Sequence, residues 1–97
     1  MNKVKQLEKV SDLKAVLKKS RRLYHRAVFP STKKEKKYMI QNDRGRWVHF
    51  GHIQYEDYTK HKDKTRRKSY LARATHIRGK WRRDKFSPNR LAISLLW

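Results

Sequence analysis

Apolar residues recur every three or four positions through the start of the chain: Val4, Leu7, Val10, Leu13, Val16 and Leu17. No glycine or proline precedes Pro30, so the spacing predicts one basic amphipathic helix within residues 1–29. Its polar face carries Lys3, Lys5, Lys9, Lys14, Lys18 and Lys19, with Glu8 and Asp12 as partners one turn away. Two uses of the stripe are open. Val4, Leu7, Leu13 and Leu17 either pack on the rest of the fold or dock, as an arm, onto another protein.

Pro30 and Ser31-Thr32 interrupt the helical period ahead of Lys33-Lys34-Glu35-Lys36-Lys37. Residues 30–37 therefore read as a basic linker, solvated or in contact with phosphate; a nuclear-localisation signal has the same composition. Two short β-prone runs follow, Tyr38–Gln41 and Trp47–Phe50, separated by Asn42-Asp43-Arg44-Gly45-Arg46. Asn and Asp suit the start of a turn and Gly45 accepts positive φ, so the pair predicts a β-hairpin, with Gly51 ending its second strand. A lone hairpin is marginal in water and needs helices to pack on it. Tyr55–Tyr58 reads as a helical turn ending near His61. Lys64–Arg78 reads as a helix with Tyr70, Leu71, Ala74 and Ile77 on one side and Gly79 as its stop. Ser87-Pro88 is an N-cap and first-turn pair for a last helix, Asn89–Leu96. The pattern gives an α+β domain over 38–97: a β-hairpin packed against two C-terminal helices, preceded by the amphipathic N-terminal helix.

Composition narrows the function. Twenty-eight Lys and Arg face eight Asp and Glu, a formal net charge of +20. Self-repulsion of that size works against a compact chain unless an anionic partner neutralises it. An aromatic content of 11% argues against a disordered basic tail, because such tails lack core-forming rings. The absence of cysteine excludes disulfides and thiolate metal sites. The N-terminus lacks the apolar stretch of a signal peptide, and the longest apolar run, Leu91–Trp97, is too short for a bilayer. A soluble protein inside a cell or particle is expected.

Catalysis needs converging titratable groups, and the pattern offers few. Glu56-Asp57 is the one pair of neighbouring acids, and adjacent side chains on a helix diverge. Asp57 and Asp63 make a magnesium nuclease only by assumption. His49 and His52 are three apart, but in and beyond a predicted strand this is not ligand spacing. His61-Lys62-Asp63 shares letters with the phospholipase D motif without its spacing. The three glycines, 45, 51 and 79, form no phosphate loop. The expectation is a non-enzymatic protein without cofactor or metal.

The positive charge is uneven. Residues 61–97 hold twelve Lys and Arg against two acids, while 30–60 hold seven against four. The candidate anion-binding set is Lys62, Arg66, Arg67, Arg73, Arg78, Lys80, Trp81, Arg82 and Arg83. Arginine forks suit phosphate, and Trp81 among cations suits a ring stacked beside a phosphate contact, or else belongs to the core. No zinc finger, RNA-recognition submotif or helix-turn-helix is visible, so binding is expected to follow the backbone and to be steeply salt-dependent.

An ordered string of residues carries a resemblance. It runs through Lys37-Tyr38, Phe50-Gly51, Tyr55-x-Asp57-Tyr58-x-x-His61-Lys62-Asp63 and Arg66-Arg67-x-x-Tyr70-Leu71-x-Arg73. It ends with Trp81 and Leu91-Ala92-x-x-Leu95-Leu96-Trp97. Over residues 37–97 the chain resembles a family of small, uncharacterised basic proteins of nucleocytoplasmic large DNA viruses. It departs at Ala74-Thr75-His76, where that pattern tends to place a basic or histidine residue directly after the arginine. The resemblance implies a virion structural protein, a minor capsid or internal component, found in the virion and in the host cytoplasm or nucleus during infection. It brings no activity or ligand. Its partners are then capsid or other virion proteins and, through phosphate contacts, nucleic acid. Alternatives are a free nucleic-acid-binding or condensing protein without base specificity, a small ribosomal protein, and a nuclease.

Overall fold

The computed structural model describes residues 2–97. Five helices and one three-stranded antiparallel sheet, ordered β1-β2-β3, give the α+β fold that the sequence predicts. In chain order these are α1 (Lys3–Glu8), α2 (Leu13–Tyr24), β1 (Phe29–Pro30), β2 (Lys36–Gln41) and β3 (Trp47–His52). They are followed by α3 (Tyr58–His61), α4 (Lys64–Ala74) and α5 (Pro88–Leu95).

The N-terminal stripe is carried by two helices, not one. The chain turns after α1, where Val10 and Ser11 both donate to the Leu7 carbonyl, and restarts with Asp12 accepting from the Ala15 amide at 3.2 Å. Ser11-Asp12 is a helix-start signal. The apolar period runs on through it and hides it. The freed Val10 carbonyl accepts from the Asp57 amide at 3.0 Å, so a distant loop holds the break open. Val4, Leu7, Leu13 and Leu17 face this chain. Leu7 is fully buried, Leu13 and Leu17 pack partly buried on the core, and Val4 is half-buried. Leu7, Leu13 and Leu17 thus pack on the core of this chain.

The predicted hairpin forms, with Tyr38 opposite Phe50 and Ile40 opposite Val48. Asn42 organises its turn: its side-chain oxygen accepts from the amides of Arg44 and Arg46, and Gly45 supplies φ +76°. Two features of the 30–37 segment differ from a solvated linker. Phe29-Pro30 adds a third strand, paired Phe29 to Met39 and Pro30 to Tyr38, at the sheet edge where proline is tolerated. Lys36 and Lys37 belong to β2, and Lys37 is buried.

α4 ends at Ala74, four residues before its predicted end at Arg78. Its last turn is held from elsewhere: Asn89 Nδ2 donates to the Ala74 carbonyl, and the Thr75 hydroxyl to that of Leu71. Arg82 donates to the Thr75 carbonyl at 2.5 Å. With its carbonyls satisfied by side chains, the chain leaves the helix early. Gly79, at φ +118°, lies in the irregular connection that follows. α5 starts as predicted, with Ser87 accepting from the Arg90 amide and Pro88 in the first turn.

The core lies between the inner sheet face and α1, α2 and α5. Its fully buried side chains are Leu7, Val16, Tyr38, Ile40, Phe50, Leu91 and Leu95. Each such aliphatic or aromatic side chain contributes about 1.5–3 kcal/mol of burial. Beside it runs a buried polar chain. Tyr38 donates to Ser11 at 2.7 Å, Ser11 and Thr59 hydroxyls meet at 3.3 Å, and Thr59 donates to Asp57. Asp57 in turn holds Lys37 Nζ at 3.1 Å. Burial lowers the Lys37 pKa and the Asp57 charge opposes that shift.

Candidate nucleic-acid interface

Six of the nine predicted anion-binding residues fall on three surfaces, and Arg78, Lys80 and Trp81 lie in the connection between α4 and α5. Arg66 and Arg73, two turns apart on α4, line a groove of about 760 Å³ between α4, the end of β3 and α5. Its wall includes Tyr55, 65% exposed, and Ile77, 54% exposed. Tyr70 and Trp97 close one side as a parallel stack, centroids 4.1 Å apart and planes 9° apart. One carboxylate enters: Glu56 reaches Arg66 at 3.5 Å, with both side chains about half exposed, so the pair is weak.

Lys62 and Arg67 belong to a second surface, facing α2. Lys62 follows α3 in left-handed conformation, φ +57°. Arg67 Nε donates to the Trp97 carbonyl at 2.7 Å while its guanidinium lies 5.2 Å over Tyr58. Burial lowers the pKa of Lys19, and Lys62, Arg22 and Arg67 lower it further, with Asp57 opposing. Four cations thus repel one another here. Lys19 and Arg22 were not among the predicted residues, because only the fold brings α2 beside α3 and α4.

Arg82 and Arg83 make the third surface, a shallow pocket of about 310 Å³ shared with Tyr24, Lys85 and Arg90. Lys85 Nζ sits 4.7 Å over the Tyr24 ring, and Arg90 donates to the Arg82 carbonyl at 2.6 Å. Trp81 is half-buried, its indole N–H bonded to the Ile77 carbonyl and its ring covered by Arg82 at 4.8 Å. It works as a clasp for the α4–α5 connection, with one face already occupied. Arg78 and Lys80 are exposed in that connection.

The acids that sequence reasoning weighed for metal chemistry have structural partners. Asp57 is buried on Lys37, and Asp63 caps α4 by accepting from Thr65 and Arg66 amides. His49 bonds Ser31 at 2.6 Å, and His52 accepts from the Gln54 amide. Among the described residues, no group of three His, Cys, Asp or Glu is placed to hold a metal ion, and no helix is long and apolar enough to cross a membrane.

The cationic surfaces and the buried pair bracket one stretch of sequence that is similar to other proteins. Residues 27–74 match DUF5754, a family of unknown function. The match runs from just before β1 to the last residue of α4, so it contains the sheet, the Lys37–Asp57 pair and the groove's two arginines. It leaves out α1, α2, α5 and Trp81. No curated protein and no solved structure matches the chain.

Proposed function

We propose that the protein is a non-enzymatic binding component that engages nucleic acid through its phosphates. The supporting observation is charge left unneutralised in a folded frame. Three ion pairs form among the described residues, Arg26–Asp43, Lys37–Asp57 and Arg66–Glu56. Lys62, Arg67, Arg73, Arg78, Lys80, Arg82 and Arg83 take part in none of them and are exposed. Arg82 bonds to a backbone carbonyl, which fixes a guanidinium without cancelling its charge. An array of oriented, unpaired cations is what a phosphate backbone requires, and it reads no bases.

Anisotropy titration of labelled DNA and RNA across a salt series tests this reading. The expected result is a steep log–log salt dependence, with each of R66A, R73A and R83A flattening the slope by about 0.9. No affinity for either nucleic acid at physiological salt overturns it and leaves an acidic protein as the partner. The setting we propose is the one that the resemblance over residues 37–97 implies, a minor capsid or internal virion component that bridges the genome to capsid proteins. Mass spectrometry of purified particles decides that setting, and absence from mature virions ends it.

A further inference from the structure

The outer face of the sheet carries a feature that the phosphate-binding surfaces do not use. Strand register puts Phe29, Met39 and His49 in one row across β1, β2 and β3, and Trp47 lies two residues along β3 on the same face. The core residues Tyr38, Ile40 and Phe50 alternate with these and point to the opposite side. Phe29 and Trp47 meet edge to face, centroids 5.7 Å apart and planes at 81°, yet they remain 47% and 44% exposed. The ring contact helps hold β1 to the sheet, and it leaves about half of each ring open to a partner.

Cations bracket the pair at both ends. At the hairpin turn Arg44 and Arg46 are exposed, and the turn's acid, Asp43, is already bound to Arg26 at 2.9 Å. At the other end Lys3 Nζ donates to the Lys33 and Lys36 carbonyls at 2.9 and 2.7 Å, which gathers three lysines near His49. Burial and those lysines together lower the His49 pKa, so at neutral pH its ring is an uncharged aromatic surface and not a further cation.

We infer that this sheet face binds single-stranded nucleic acid, with unpaired bases stacked on Phe29 and Trp47 and the flanking phosphates held by Arg44, Arg46 and the Lys3–Lys33–Lys36 cluster. Single strands are the occupant that fits both halves of the feature. A duplex hides its base faces and presents phosphates and base edges, which leaves the aromatic pair nothing to stack on. An apolar protein partner leaves the cations at both ends desolvated and unpaired. The inference rests on the nucleic-acid reading above and adds strandedness to it.

The test uses the full chain and anisotropy with a labelled twelve-nucleotide oligo-dT, an oligo-U of the same length, and a twelve-base-pair duplex. F29A/W47A is expected to weaken single-strand binding roughly 10- to 100-fold and to change duplex binding by less than about 2-fold. R83A, remote from the sheet, is expected to weaken all three ligands alike. A readout independent of truncation is tryptophan quenching by oligo-dT, expected to be smaller in W47F than in the wild type, with Trp81 and Trp97 beside the other cationic surfaces supplying the rest. Unchanged single-strand affinity in F29A/W47A, or quenching undiminished in W47F, overturns the stacking inference while the phosphate reading stands. No binding of any oligonucleotide by the wild type overturns both. If F29A/W47A instead converts a dimer to a monomer in sedimentation, the face is a contact between copies and the inference fails.

Discussion

Lys37 of β2 and Asp57 ahead of α3 point inward and pair with each other, whereas from α4 onward most arginines point to solvent, and Arg82 and Arg90 bond to carbonyls. Lys37 and Asp57 lie 3.1 Å apart with side chains 3% and 0% exposed, and Thr59, Ser11 and Tyr38 complete their bonding. Arg82 and Arg90 hold the carbonyls of Thr75 and Arg82 and keep their charge. The same residue types thus do opposite jobs. In the first region charge is cancelled to join α1, α2, the sheet and α3; in the second it is positioned and left for a partner. A net charge of +20 folds because the few buried charges are matched and the many unmatched ones stay at the surface.

The sharpest way to break the comparison is to remove one buried partner. D57A leaves the Lys37 ammonium buried without its carboxylate, an expected loss of about 3–5 kcal/mol. For a domain of typical stability that is a large share of the whole, and urea unfolding reads it directly. The double replacement K37M/D57L is expected to recover most of the loss, since an apolar pair of similar volume leaves no orphaned charge. R83A, on the exposed region, is expected to leave the unfolding midpoint nearly unchanged. A small effect of D57A sinks the claim that this pair organises the fold.

Two glycines separate local backbone demand from packing. Gly45 and Gly51 have nearly the same φ, +76° and +79°. A methyl group at Gly45 meets nothing within 4 Å, whereas at Gly51 it lies 2.9 Å from Leu96 Cδ1 and 3.1 Å from Lys37 Cβ. G45A is expected to cost about 1 kcal/mol of backbone strain alone. G51A is expected to cost roughly 2–3 kcal/mol, because overpacking adds to the same strain. Equal midpoint shifts by thermal melting mean that α5 gives way freely at Leu96.

These positions also mark how far the sequence could be read. The hairpin, its Asn42–Arg46 turn and the Ser87-Pro88 start of α5 were legible, since each depends on local turn and cap chemistry. The break at Ser11-Asp12 was masked by an apolar period that both helices share. The end of α4 was set by Asn89 and Arg82, which reach back from 15 and 7 residues away. Lys37 carried the strongest misleading signal. It sits in a run of lysines that looks solvated, and nothing local announces that Asp57 comes to meet it. Among the predicted site residues, the cations are at the surface as expected, but α4 and its flanks divide them between surfaces. Trp81 is a clasp, and the exposed aromatic pair is Phe29 and Trp47, brought together only by strand register.

The smallest effect concerns pH and distinguishes the two regions by their tyrosines. Burial raises the Tyr38 pKa well above its ordinary 10.0, the Asp57 and Asp12 charges add to the rise, and the bond to Ser11 opposes it. A group whose folded pKa is raised stabilises the fold fully below its unfolded pKa and less as pH climbs above it. Stability is therefore expected to fall from about pH 10 upward as the unfolded chain ionises. Y38F is expected to cost about 1 kcal/mol at neutral pH through the lost bond to Ser11, and to flatten the alkaline fall. Tyr70, in the second region, is shifted upward by burial, with Arg73 pulling the other way. Y70F should accordingly flatten the alkaline fall less than Y38F does. The raw curve mixes in Lys37, whose pKa is lowered from 10.5 and whose contribution rises with pH over the same range. The difference between wild type and each phenylalanine variant, measured by urea unfolding from pH 8 to 11, isolates the phenol. If Y38F and wild type lose stability in parallel above pH 10, the buried hydroxyl does not tie β2 to Ser11 as described.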